Sequence, residues 1–229
     1  MSIVILDDPM ETNANWVGPS TIVAGRTGNC VRVAGTAPSI VYTIPAGQRS
    51  GETKVDLWYR ASSIAAFSST PIVQLRGPGG VPYATASHTV FSTFRFTIGG
   101  PGGNLIGVEA TVPAANTWAH VELYVKPGVS NAGRVNGRLN GVDLTGDDPL
   151  NTASASPVES VALWGNGTGG AGTHDFDDLV LTDESATVPP TPIPAPPLNM
   201  AGVVVGFEHT ITPGRWVSTL HTSTSTPSY

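Results

Sequence analysis

Charge is scarce in this sequence. Asp, Glu, Lys and Arg together make up 12% of its 229 residues, against roughly 25% in an average soluble protein. What charge there is leans negative, 17 acidic against 11 basic residues and a formal net charge of -6. A chain of that sign lacks the basic face that nucleic-acid binding needs. A single cysteine, Cys30, excludes an internal disulfide and a cysteine-rich zinc site. No apolar run nears the ~20 residues of a membrane-spanning helix. The opening residues, Met1 to Pro9, lack the charged and apolar regions of a secretory signal. The expectation is a chain made in a cytoplasm and not inserted into a membrane. Capped segments with helical apolar spacing are also missing.

Glycine, with 27 residues, and proline, with 20, punctuate a chain that is still 40% hydrophobic. That combination reads as short strands joined by many turns, with enough apolar residues for a core. Alternation with period two supports the reading. In Lys54–Arg60, Val55, Leu57 and Tyr59 face one way and Asp56, Trp58 and Arg60 the other. In His120–Lys126, Val121, Leu123 and Val125 oppose Glu122, Tyr124 and Lys126. Further strands are expected at Cys30–Val33, Ile40–Ile44, Val90–Ile98, Gly133–Leu139, Val158–Leu163 and Phe176–Leu181, with a first strand around Asp7 and Asp8 neighbouring the last. Ser62–Ala66 offers at most one helical turn. The fold class is all-β, a two-sheet sandwich.

The character changes after Asp183. Residues 185–197 include Val188-Pro189-Pro190-Thr191-Pro192-Ile193-Pro194-Ala195-Pro196-Pro197, a semi-rigid polyproline linker. Residues 198–229 then read as a hairpin, Val203–Thr212 and Arg215–Thr222 around Pro213-Gly214. Val203, Val205, Phe207 and Ile211 are expected on one face, with Trp216 on the returning strand. An isolated hairpin has too little core to stand alone in water. Its apolar groups need a covering surface, and its edges suit strand addition to another sheet. The hairpin is therefore expected to dock into an assembly, with Phe207, Ile211 and Trp216 as anchors.

Two resemblances follow from particular residues. Thr117-Trp118-Ala119-His120-Val121-Glu122, the Leu139-Asn140-Gly141 turn and Asp175-Phe176-Asp177-Asp178-Leu179-Val180-Leu181 form an ordered series. It resembles the concanavalin A-like (laminin-G, lectin/glucanase) jelly roll over residues 1–184. Asn140-Gly141 also has a local reason, since a tight hairpin needs positive φ at both positions. The second resemblance lies in Gly202-Val203-Val204-Val205-Gly206-Phe207-Glu208-His209-Thr210-Ile211-Thr212-Pro213-Gly214-Arg215-Trp216-Val217-Ser218-Thr219-Leu220. It is similar to the ending of minor tail proteins of long-tailed actinobacteriophages. That resemblance implies a virion tail or tail-tip component, assembled with other tail proteins and as a homo-oligomer.

The jelly-roll resemblance raises glycoside hydrolysis, which needs a pair of carboxyl groups ~5–5.5 Å apart in retaining enzymes. Glucanases of this fold carry them as E-x-D-x-E or E-x-D-x-x-E on one strand, and no such run is present. The expectation is therefore no enzymatic activity. The resemblance also places Asp177 where relatives supply a carboxylate to a structural Ca²⁺, with Asp7, Asp8 and Glu11 expected nearby. The alternative is that Asp177 and Asp178 only accept hydrogen bonds from turn amides. If Lys54–Arg60 and His120–Lys126 share a sheet, Asp56, Trp58, Arg60 and Tyr124 form an aromatic and charged platform for sugar. A protein contact is the competing use of such a face. The five histidines show no metal spacing. No G-x-S-x-G elbow supports a hydrolytic triad, and the glycines of 165–172 lack the Lys-Ser/Thr of a phosphate loop.

The sequence thus predicts a structural phage-tail protein of the virion that contributes to host-surface attachment. The competing class is a lectin-like carbohydrate-binding module without catalytic activity.

Overall fold

The computed structural model describes residues 2–34, 39–63, 70–89, 92–100, 103–146, 149–152, 154–165 and 172–185, and the backbone of strands at 203–212 and 215–223. Two compact units divide the chain, Met1–Val188 and Pro189–Tyr229. The first is a jelly-roll sandwich of two antiparallel sheets. Its strands are β1 (Ile3–Asp8), β2 (Thr21–Ala24), β3 (Asn29–Ala34), β4 (Ile40–Thr43), β5 (Thr53–Ala61), β6 (Thr70–Arg76) and β7 (Pro82–His88). They continue with β8 (Thr93–Ile98), β9 (Leu105–Thr111), β10 (Ala119–Lys126), β11 (Arg134–Leu139), β12 (Val142–Asp143), β13 (Ser160–Leu163) and β14 (Thr173–Asp183). The only helical turns among the described residues are two short 3₁₀ segments, Ala46–Gln48 and Pro78–Gly80.

The larger sheet runs β12-β11-β10-β5-β14-β3-β2, with β1 also paired to β14. The smaller runs β4-β13-β6-β7-β8-β9. First and last strands meet, Ile3 opposite Asp183 and Asp8 opposite Leu179, as expected. The alternation read in β5 and β10 becomes the core: Val55, Leu57, Tyr59, Val121, Leu123 and Val125 are all buried. Opposite them lie Ile72, Val73, Leu75, Phe94, Phe96, Val161 and Leu163 of the smaller sheet, in one continuous apolar cluster. Asn140 and Gly141 take φ of 50° and 80° between β11 and β12, the tight turn that Asn-Gly favours.

Several boundaries differ from expectation. β8 begins at Thr93, because Ser92 takes φ of 56° and breaks the extended run. Val90 and Phe91 lie outside the described residues, as does most of Ser62–Ala66. β14 starts earlier than Phe176 and carries a register shift between Asp177 and Val180, where Asp178 takes φ of 46°.

The second unit contains β15 (Val203–Thr212) and β16 (Arg215–Ser223), paired as a hairpin. Ile211 stands opposite Trp216 and Phe207 opposite Leu220. A register shift between Val204 and Gly206 interrupts the alternation expected from Val203 to Phe207. Residues 186–197 of the linker, Pro213-Gly214, and the side chains of Phe207, Ile211 and Trp216 lie outside the described residues.

Candidate functional site

The outer face of the larger sheet carries a dense array of charged side chains. β5 and β10 are direct neighbours, so the condition on the platform is met. Across the ladder Trp58 faces His120, Asp56 faces Glu122 and Lys54 faces Tyr124. β11 continues the rows: Arg138 beside Glu122, Asn136 beside Tyr124, Arg134 beside Lys126. Opposite charges meet across the strands. Lys54 pairs with Glu122 and, at 3.5 Å, with Asp56; Lys126 reaches Glu52 at 3.0 Å. Tyr124 Oη donates to Glu52 Oε2 at 2.9 Å. That bond and burial raise the Tyr124 pKa, burial being the larger cause. Glu52 is held below the usual carboxylate range, chiefly by its bond from Lys126.

A cleft of about 380 Å³ opens over one end of this face. Tyr124 and Asn136 form its centre, Lys54, Arg134 and Arg138 supply cations, and Glu52, Glu122 and Glu184 supply carboxylates. Arg138 lies 3.9 Å from Glu122, and Arg134 has no ion-pair partner among the described residues. Donors, acceptors and one aromatic ring converge on a rigid sheet, which is how hydroxyl-rich ligands are oriented.

The four residues expected to hold glycan are on one face but not in one cleft. Tyr124 lines the cleft; Asp56, Trp58 and Arg60 stand away from it. The Trp58 ring is covered. The Arg26 guanidinium lies 4.5 Å from its centre and the His120 ring 5.0 Å from it. His120 also bonds Asp56, and Arg26 also pairs with Asp178. Arg60 is committed to buried Asp175, donating at 2.6 and 3.0 Å, and lies over Trp118 at 4.7 Å. Arg32 clamps the same carboxylate from β3 at 2.7 and 3.0 Å. Trp58 and Arg60 therefore tie loops and strands together, a use invisible in strand periodicity.

Asp177 is fully buried at the β14 irregularity. Its Oδ2 accepts from the Arg26 amide at 2.7 Å and its Oδ1 from the Asp178 amide at 3.0 Å. Burial raises its pKa, and the bonds from the amides of Arg26, Thr27 and Asp178 oppose that rise. Glu11 accepts the Asn29 amide at 2.9 Å, and Asp8 accepts Met10 N and Trp16 Nε1. Calcium wants 6–8 oxygen ligands, whereas the partners here are N–H donors. Among the described residues no three His, Cys, Asp or Glu side chains gather around a metal position. As arranged, Asp177 holds the Gly25–Asn29 turn, where a Cβ on Gly25 would sit 2.8 Å from Asp177 Oδ2.

A second polar cluster is buried within the sandwich. Tyr59 Oη and His88 Nε2 are 3.0 Å apart, and the His88 and His174 rings meet at 5.4 Å. His174 Nδ1 donates to the Trp164 carbonyl at 2.8 Å, which leaves Nε2 as the bare nitrogen. His88 Nδ1 and His174 Nε2 have no hydrogen-bond partner. Burial pushes His88 down to about 3, with His174 adding repulsion. Burial likewise pushes His174 down to about 4, against the Trp164 bond and Asp175.

No protein-family model matches the chain, and no curated protein matches it by sequence. Solved structures do share the fold. The cellulose-induced protein Cip1 is 15% identical with a TM-score of 0.56, over 77% of this chain and 96% of that one. An endo-β-1,4-glucuronan lyase from Trichoderma reesei is 15% identical with a TM-score of 0.55, over 72% and 86%. Domain 4 of AbnA, an extracellular arabinanase from Geobacillus stearothermophilus seen in complex with arabinotriose, is 17% identical with a TM-score of 0.50, over 73% and 76%. The lyase overturns the expectation that this chain is not an enzyme. That expectation rested on the missing glucanase carboxylates, and a lyase cleaves by elimination without that hydrolytic pair. Enzymes and non-enzymes share the fold. The likenesses establish a concanavalin-like jelly-roll sandwich of the kind found among carbohydrate-active proteins.

Proposed function

We propose that residues 1–184 recognise a glycan in the cleft over β5, β10 and β11, and that residues 198–229 fasten this module to a bacteriophage tail. The observation that carries the glycan reading is the convergence of Tyr124, Asn136, three cations and three carboxylates around about 380 Å³. A sugar presents hydroxyls that donate and accept together, and this lining answers both roles. Protein contacts favour an apolar centre instead. The balanced charges favour a ligand with little net charge.

The tail placement is supported by the residues of Gly202–Leu220 that resemble minor tail proteins, and by a hairpin too small to hold itself. The module would then sit in the virion among other tail proteins, several copies together, and contribute to attachment at the host surface.

A glycan array tests the first part. The chain should bind neutral oligosaccharides, and Tyr124→Ala with Asn136→Ala should abolish the signal while keeping the melting temperature within a few degrees. Wild-type chain that binds no glycan, or a double variant that binds as well, would refute it. Deleting 198–229 tests the second part. Particles should then lack the protein, and normal incorporation would contradict the tail placement.

A further inference from the structure

The outer face of the smaller sheet carries another cluster. Val73 and Leu75 of β6 enter the core, so Gln74 and Arg76 project from the opposite face. Gln74 stands between Ala162 of β13 and Thr85 of β7, and Thr85 faces Thr97 of β8. Arg76 donates to Gln74 Oε1 from Nε at 3.0 Å and from Nη2 at 2.7 Å. Trp164 Nε1 donates to the same oxygen at 3.0 Å. Gln74 Nε2 donates onward to Thr85 Oγ1 at 3.1 Å, and that hydroxyl donates to the Gly99 carbonyl at 2.6 Å. The Arg76 guanidinium also lies 5.2 Å from the Trp164 ring centre. Its position is thus set by two partners, Gln74 and Trp164.

Arg76, like Arg134, has no carboxylate partner among the described residues, whereas Arg26, Arg32, Arg49, Arg60, Arg95 and Arg138 each have one. It is half-buried, and burial lowers its pKa from the ordinary arginine value. Withdrawing a cation from water without a counter-charge is costly. Both Nη1 hydrogens and one Nη2 hydrogen stay open, the edge of the fork that takes a carboxylate bidentately. Tyr83 and Ser87, on β7 in the same alternation as Thr85, are 1% and 0% exposed, and their hydroxyls have no hydrogen-bond partner. The Tyr83 ring fills the space beside Gly77, the residue after Arg76.

We infer that Arg76, Gln74 and Trp164 form a binding site for a carboxylated saccharide, with the acid group on the open edge of the guanidinium and the sugar ring beside Trp164. The site lies on the other sheet from the cleft and extends beyond the reading proposed for it. A glycan is favoured by the part-exposed Trp164 ring beside the guanidinium, which offers a sugar ring a stacking surface next to the cation.

The test uses the full chain and calorimetry with tetrasaccharides of galacturonate, mannuronate, guluronate and glucuronate, each beside its neutral methyl ester. At least one acid should bind, with its ester at least tenfold weaker. Arg76→Gln should weaken that binding at least tenfold. Should that variant fail to fold, Arg76→Lys keeps the charge but loses the fork, and should weaken it at least threefold. The Arg134→Gln, Arg138→Gln double variant of the cleft should leave this affinity unchanged, which separates the two sites. The inference is overturned if no acid binds, if ester and acid bind alike, if the Arg76 variants bind as wild type, or if a polyglutamate peptide binds as tightly as the best oligouronate.

Discussion

Lowering the pH from 7.5 to 5 should cost the sandwich about 4 kcal/mol of folding free energy. His88 and His174 are the cause. Both are buried neutral, at about 3 and about 4 in the folded chain, against about 6.5 when unfolded. A histidine with a depressed folded pKa binds protons more readily when unfolded. Its stabilising neutrality is present above pH 6.5 and is lost as the pH falls toward the folded values. At pH 5 the unfolded side chain lies about 1.5 units below its pKa, worth about 2 kcal/mol for each histidine. A mean domain holds only about 5–15 kcal/mol, so the loss should be large. Asp177, raised by burial, acts in the opposite sense and trims the effect. Urea unfolding followed by tryptophan fluorescence at both pH values measures it. His174→Gln should remove about half of the difference. A free energy that changes by less than about 1 kcal/mol, or a variant with the full pH dependence, would refute the reasoning.

Three further outcomes are expected. Gly137→Ala should destabilise by about 2 kcal/mol, because an added Cβ would lie 2.5 Å from the Phe96 ring carbons; a melting temperature lowered by less than about 2 °C would show that the sandwich opens easily there. Cys30 is buried, and burial with Asp175 and Asp177 nearby pushes its thiol up to about 12, so a disulfide reagent should modify it only at the rate of unfolding; rapid native-state reaction would contradict that. Structural calcium at Asp177 remains a proposal that its amide partners oppose, so EDTA and added Ca²⁺ should both leave the melting temperature unchanged, whereas a shift of several degrees would put the metal back.

Where one face of a strand is core and the other is water, the sequence alternates and the strand can be read. β5 and β10 are such strands. β6 is buried at almost every position, and in β7 every residue from Tyr83 to His88 is buried whichever face it is on, so neither shows a period. β9 is interrupted by Gly107, whose φ of 68° brings its backbone against Leu144 O. The same limit applies to sites. Periodicity placed Asp56, Trp58, Arg60 and Tyr124 on one face. That Arg26 would cover Trp58, and Asp175 would hold Arg60, depends on partners distant in the chain. The Arg76–Trp164 pair joins β6 to the residue after β13, and no local pattern announces it.

The most direct test of the glycan reading is a ¹⁵N-correlation titration of the 1–184 sandwich with a neutral oligosaccharide selected from the array. The account predicts shifts concentrated at residues 52–54, 122–124 and 134–138, with saturation that Tyr124→Ala abolishes. Shifts that avoid these three strands, or a spectrum unmoved by every array hit, would contradict it.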